Sequence, residues 1–176
     1  MMNEIREIVT KAVIGKGKKT IRLKEVVTPH NEPFSILGCW GINNQYRAKQ
    51  IDENVVEIVG NFEINIWYSS DNNTKTEVVK KIINYKDTIK TKEIVKEKLS
   101  SSNEVIVRML QEPTCTNAYI NGYNIEVDIV FEVLVEVIGE TKVKVTVYNA
   151  HDAINDLDDE DFENEINENF LEDINH

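Results

Sequence analysis

AYINGYNIEVDIVFEVLVEV, Ala118 to Val137, sets an Asn-Gly pair between two apolar runs. Asn121-Gly122 predicts a two-residue hairpin turn, because both central residues of such a turn need positive φ. That loop would pair Ile120 with Tyr123 and Ala118 with Ile125. Beyond the turn, Ile125, Val127, Ile129, Phe131, Val133, Val135 and Val137 recur at every second position. Side chains alternate across an extended chain, so the seven share one face of a strand.

The same period governs NFEINIWYSS, Asn61 to Ser70. Phe62, Ile64, Ile66 and Tyr68 fall on a dry face, and Asn61, Glu63, Asn65 and Trp67 on a wet one. Trp67 is the exception among its polar neighbours. An aromatic there suits a protein interface, although a covering layer within the monomer or a stacked ligand would also account for it. The strand extends back to Val55, either unbroken or as two pieces joined near Gly60. SSDNNTK, Ser69 to Lys75, is rich in turn residues, and TEVVKKIINY, Thr76 to Tyr85, returns as a strand. EVIVRMLQEP, Glu104 to Pro113, is another. GETK, Gly139 to Lys142, predicts a further turn, leaving Val143, Val145 and Val147 as the last strand.

Two regions are less regular. Ile5, Ile8, Val9, Ala12 and Val13 have helical spacing, whereas TIRLKEVV, Thr20 to Val27, reads as strand. Lys86 to Asn103 is polar and irregular, which predicts a long loop with one helical turn. The parallel between NFEINIWY at 61–68 and NIEVDIVF at 124–131 is what two half-buried strands produce without a repeat. The expected fold is all-β, an antiparallel sandwich or partly closed barrel with a disordered acidic C-terminal tail.

The net charge of −11 is confined to one end. Residues 149–176 hold six Asp and five Glu with no Lys or Arg, leaving twenty acids against twenty Lys and Arg in residues 1–148. This divides the chain into a body, 1–148, and an acidic tail, 149–176. A balanced body ahead of an anionic tail argues against nucleic acid as a partner. The tail has one further pattern. Phe162, Ile166, Phe170 and Ile174 are spaced by four, with Leu171 beside them, which would line an apolar stripe along a helix. Alone the segment would not fold, because nucleation is costly and the carboxylates repel. A partner with a basic-rimmed apolar groove would supply what it lacks, which makes the tail a candidate recruitment segment that folds on binding.

Signals of catalysis and of metal binding are weak. GKGKKT, Gly15 to Thr20, lacks the glycine a phosphate loop needs five residues before its Gly-Lys pair. His30, His151 and His176 are scattered, without HExxH or cysteine neighbours, and no GxSxG elbow is present. A calcium loop begun at Asp156 would need Gly at Asp161 and Glu at Asn167. Two cysteines without CxxC read as reduced thiols of a cytosolic protein, with Cys39 a small buried filler. The N-terminus MMNEIREIVTK carries charge where a signal sequence would be apolar, and no apolar run reaches the ~18–20 residues that span a bilayer. No enzyme activity, cofactor or metal is expected. Trp40, Trp67 and Tyr68 leave open a second reading, a sugar-stacking platform on a carbohydrate-binding sandwich.

Four stretches, in order along nearly the whole chain, resemble the outer spore coat morphogenetic protein CotE family of spore-forming bacteria. They are REIVTKAVIGKGKK (6–19), PFSILGCWGINN (33–44), NIWYSSDNNTKTEVV (65–79) and EVIGETKVKV (136–145), with the acidic tail beyond. The third is the most specific. The resemblance implies a structural role without catalysis or cofactor. It implies self-association, bridging of basement-layer and outer coat proteins, and assembly from the mother-cell cytoplasm onto the forespore, with no membrane insertion. Candidate interaction residues are Trp67 and Trp40 on the body, and Phe162, Ile166, Phe170, Leu171 and Ile174 on the tail, where the recruitment segment would fold on binding a later coat protein.

Overall fold

In a computed structural model, which describes residues 4–95, 99 and 103–148, the described residues form strands without a helix. The strands are β1 (Glu4–Val27), β2 (Ser35–Asp52), β3 (Val55–Ser70), β4 (Lys75–Lys90), β5 (Lys92–Glu93), β6 (Glu104–Asn121) and β7 (Asn124–Val147). They make two sheets, ordered β5-β1-β7-β6 and β2-β3-β4. The chain divides into two compact units, residues 10–141 and a smaller one of residues 1–9 with 142–176. Within the smaller unit Lys142 Nζ lies 3.5 Å from Glu7 Oε2, and Ile5 and Ile8 are exposed.

In the larger unit, the alternation of β3 and β7 builds the core. Phe62, Ile64, Ile66 and Tyr68 are buried opposite the seven alternating residues Ile125 to Val137. Phe62, Tyr85 and Phe131 form an aromatic cluster, with Tyr85 and Phe131 centroids 4.8 Å apart. Tyr85 crosses β3 at Gly60, and its hydroxyl donates to Asn44 Oδ1 at 3.0 Å. A Cβ on Gly60 would lie 2.5 Å from the Tyr85 hydroxyl and from the Gln45 carbonyl oxygen, so only glycine leaves room for the crossing. Burial pushes the Tyr85 phenol up to about 12, the largest of the influences on it.

The antiparallel sandwich is as expected, and the two sheets do not close into a barrel. Several local expectations are corrected. The hairpin turn is Gly122-Tyr123, pairing Asn121 with Asn124 and Ile120 with Ile125. Of the two central residues only Gly122 has positive φ, at 62°, the pattern of a turn with glycine first. Tyr123 is therefore exposed in the turn rather than paired with Ile120. GETK does not turn; β7 runs through it to Val147. Gly139 marks a close approach instead, since a Cβ there would meet Ile14 Cδ1 at 2.6 Å.

The helical spacing in the first residues belongs to β1, one continuous strand. Lys86 to Lys90 is not loop either, because β4 continues with Lys86 opposite Val59 and Lys90 opposite Val55. β2 carries three register shifts against β3, which hides its period of two. β6 passes through Pro113 because register shifts bracket it on an edge strand, where proline is tolerated.

The cysteines are neither free thiols nor simple filler. Cys39 on β2 and Cys115 on β6 form a disulfide, with Cα atoms 6.1 Å apart. The bond joins an edge strand of one sheet to an edge strand of the other. The same corner holds Gly41, whose absent Cβ would sit 2.7 Å from the Pro113 carbonyl oxygen, and an Asn44 Nδ2 hydrogen bond to Glu112. At the opposite corner β1 lies against β4. Lys19 Nζ meets Asp87 Oδ1 at 2.7 Å, and Lys81 Nζ meets Glu25 at 3.2 Å and donates to the Val26 carbonyl at 2.9 Å.

Candidate interaction surface

The answer to the odd tryptophan lies on the outer face of the three-stranded sheet. Residues directly opposite one another in antiparallel strands share a face, so the registers fix its composition row by row. Gly38, Trp67 and Val78 form one row; Trp40, Asn65 and Lys80 the next; Ile42, Glu63 and Ile82 the third. Trp40 leans over Gly38, where a Cβ would lie 3.6 Å from its ring. Both indoles thus gather at one end of the face.

The large apolar side chains of these rows are exposed. Trp40 is 42% exposed, Trp67 44%, Val78 48% and Ile82 62%, with Ile42 similar. Single exposed apolar residues are ordinary, but a contiguous group marks an interaction site. Asn65, in the middle of the group, is only 3% exposed although it points outward, so its neighbours roof it over. Its amide donates to Glu63 Oε1 at 3.2 Å.

Further along the same face the rows become polar: Gln45, Asn61 and Asn84, then Arg47, Val59 and Lys86, then Lys49, Glu57 and Thr88. Lys86 Nζ pairs with Glu57 at 3.2 Å. The six rows carry four cations, Arg47, Lys49, Lys80 and Lys86, against two carboxylates, Glu57 and Glu63. A shallow open depression lined by Tyr46, Arg47, Gly60 and Lys86 lies there.

The outer face of the other sheet differs. β7 presents Glu126, Asp128, Glu132 and Glu136, of which Glu132 pairs with Lys18 at 2.9 Å and Glu136 lies 3.7 Å from Arg108. Tyr119, opposite Glu126, has its phenol held above the ordinary value by a hydrogen bond to that carboxylate. This face is charged and partly ion-paired, without tryptophan.

Of the residues singled out in the sequence, the structure brings Trp40 and Trp67 together and removes Tyr68. Tyr68 is 1% exposed in the core, and its hydroxyl donates to Glu77 Oε2 at 2.6 Å. Burial, then that hydrogen bond, raises its phenol. The sugar platform of Trp40, Trp67 and Tyr68 therefore loses one of its three rings. Phe162, Ile166, Phe170, Leu171 and Ile174 lie outside the described residues. Sequence reasoning missed Ile42, Val78 and Ile82; alternation within β4 carried the signal for the last two. Among the described residues no group of three or more His, Cys, Asp or Glu is placed to hold a metal ion.

A family model described as outer spore coat protein E (CotE) covers residues 4–176. No curated protein and no solved structure matches the chain.

Proposed function

This chain belongs to the outer spore coat protein E (CotE) family, a structural family of the spore coat, and from that premise we propose that it is a self-associating scaffold that recruits other coat proteins during assembly from the mother cell. The observation that carries this reading is the exposed group of Trp40, Trp67, Ile42, Val78 and Ile82 on one sheet face. Exposed tryptophans in a contiguous apolar group are usual anchors of a protein interface.

The alternative route to assembly, pairing through a sheet edge, is less favoured by the same geometry. Edge strands β2 and β6 face one another, bulged and bridged by Cys39–Cys115. Edge strand β4 is occupied by β1 through Lys19–Asp87 and Lys81–Glu25. Bulges, proline and covering strands are the devices that stop edges from adding another chain. The broad face has no such protection.

Sedimentation velocity over a concentration series tests the reading. The wild-type chain should form oligomers that grow with concentration, and Trp67→Ala should shift the series to higher concentration by at least tenfold while keeping the β-sheet circular dichroism. A wild-type chain that stays monomeric throughout would refute self-association. A Trp67→Ala chain that assembles as wild type would remove the face from it.

A further inference from the structure

The acidic tail needs an apolar surface with cations near it, and one face of the body carries an apolar group at one end, with Lys80 inside it and Arg47, Lys49 and Lys86 further along. We propose that residues 162–174 of one copy dock on the outer face of the β2-β3-β4 sheet of a second copy. The proposal rests on the self-association reading above and names the surfaces that carry it.

Three features match. The first is apolar content: Phe162, Ile166, Phe170 and Ile174 would form one stripe, and the face offers Trp40, Trp67, Val78 and Ile82 in adjacent rows. The second is charge. Residues 162–174 hold four Glu and one Asp with no Lys or Arg. The face has Arg47, Lys49, Lys80 and Lys86 against two carboxylates, and Lys80 stands between the apolar rows. The opposite face, with its row of β7 acids, would repel the same segment. The third is size. Three strands at about 4.8 Å spacing are about 10 Å across, close to the ~10–12 Å diameter of one helix. A helix from Phe162 to Ile174 would be about 18 Å long at ~1.5 Å per residue. The rows from Trp67 to Glu63 span about 14 Å at ~3.4 Å per residue.

Docking would remove both obstacles to folding of the segment, since the stripe becomes buried and the acids meet cations. A tail-to-face contact joins two different surfaces. Such a contact leaves a free face and a free tail at the ends of every complex, so it propagates into open assemblies unless the rotation closes a ring. Face-to-face pairing would instead stop at a dimer.

A mixing experiment with three full-length chains separates these possibilities. The first is wild type. The second is Trp40→Ala/Trp67→Ala, with a disabled face and an intact tail. The third is Phe162→Ala/Phe170→Ala, with a disabled tail, every charge kept and an intact face. Sedimentation velocity should find wild type assembling, each variant alone monomeric, and their equimolar mixture forming a dimer that grows no further. If the tail variant assembles alone, the face binds something other than the tail and the proposal is overturned. If the mixture stays monomeric, it is overturned as well. A monomeric wild type sinks the self-association reading itself, and this proposal with it. Should the double tryptophan variant lose its β-sheet circular dichroism, Lys80→Glu replaces it. That change keeps both indoles, sets a carboxylate against the acidic segment and should weaken assembly at least tenfold. Unchanged assembly by Lys80→Glu would overturn the proposal.

Discussion

Removing the Cys39–Cys115 bridge should cost the fold a large part of its stability. The two cysteines are 76 residues apart and join edge strands of different sheets. In the chain-entropy description, a loop of that length confers about 4.5 kcal/mol by restricting the unfolded chain. For a domain of about 150 residues this corresponds to a fall of about 10–15 °C in the thermal midpoint. The assay is thermal unfolding followed by circular dichroism, at a concentration below assembly. Three samples are compared: the oxidised chain, verified by intact mass; the same chain with reductant; and Cys39→Ala/Cys115→Ala. The reduced chain and the variant should melt together, well below the oxidised chain. If the oxidised and reduced chains differ by less than about 3 °C, the bridge does not constrain the unfolded ensemble as argued and the reasoning is refuted.

Gly60→Ala should lose about 1–3 kcal/mol in urea unfolding, because its Cβ would collide with backbone as well as with Tyr85; a neutral substitution would show that Tyr85 does not cross β3 there. The Tyr85 phenol has a folded value of about 12, above its ordinary value, so its contribution to stability is complete below pH ~10 and is lost as pH rises through about 12. Tyr85→Phe should therefore keep more of its pH 8 stability at pH 11 than wild type does, and equal losses would contradict this. Deleting residues 149–176 should move the midpoint by no more than a few degrees, measured below assembly, while abolishing assembly; loss of cooperative unfolding would refute the division of the chain at 148.

Strands buried on one face were the most legible part of the sequence. β3 and the first half of β7 alternate because one side meets the core and the other meets solvent, and Trp67 stood out against that alternation. β1 concealed itself because its first residues, Ile5 to Val9, are exposed on both sides, so nothing enforces a period of two. Glycine misled in the GETK segment, where Gly139 answers the approach of Ile14 rather than a turn. The hairpin turn was displaced by one residue because either placement leaves Ile120 and Ile125 on the same face. The disulfide could not be read at all. Nothing local marks Cys39 or Cys115, and only the meeting of two sheet edges brings them together. The interaction face was half legible. Trp40 and Trp67 are legible as candidates, but their adjacency depends on the β2–β3 register, which is set between two shifts.

The chain has two tryptophans, and both lie on the proposed interface. Tryptophan fluorescence, excited selectively, therefore reports on that face alone. The most direct test is a dilution series in which tryptophan emission and acrylamide quenching are followed beside the sedimentation coefficient. As oligomers form, the emission maximum should move to shorter wavelength and quenching should fall, with the same concentration midpoint as assembly. Oligomers that form while both tryptophans stay as exposed and as quenchable as in the monomer would contradict assembly through this face.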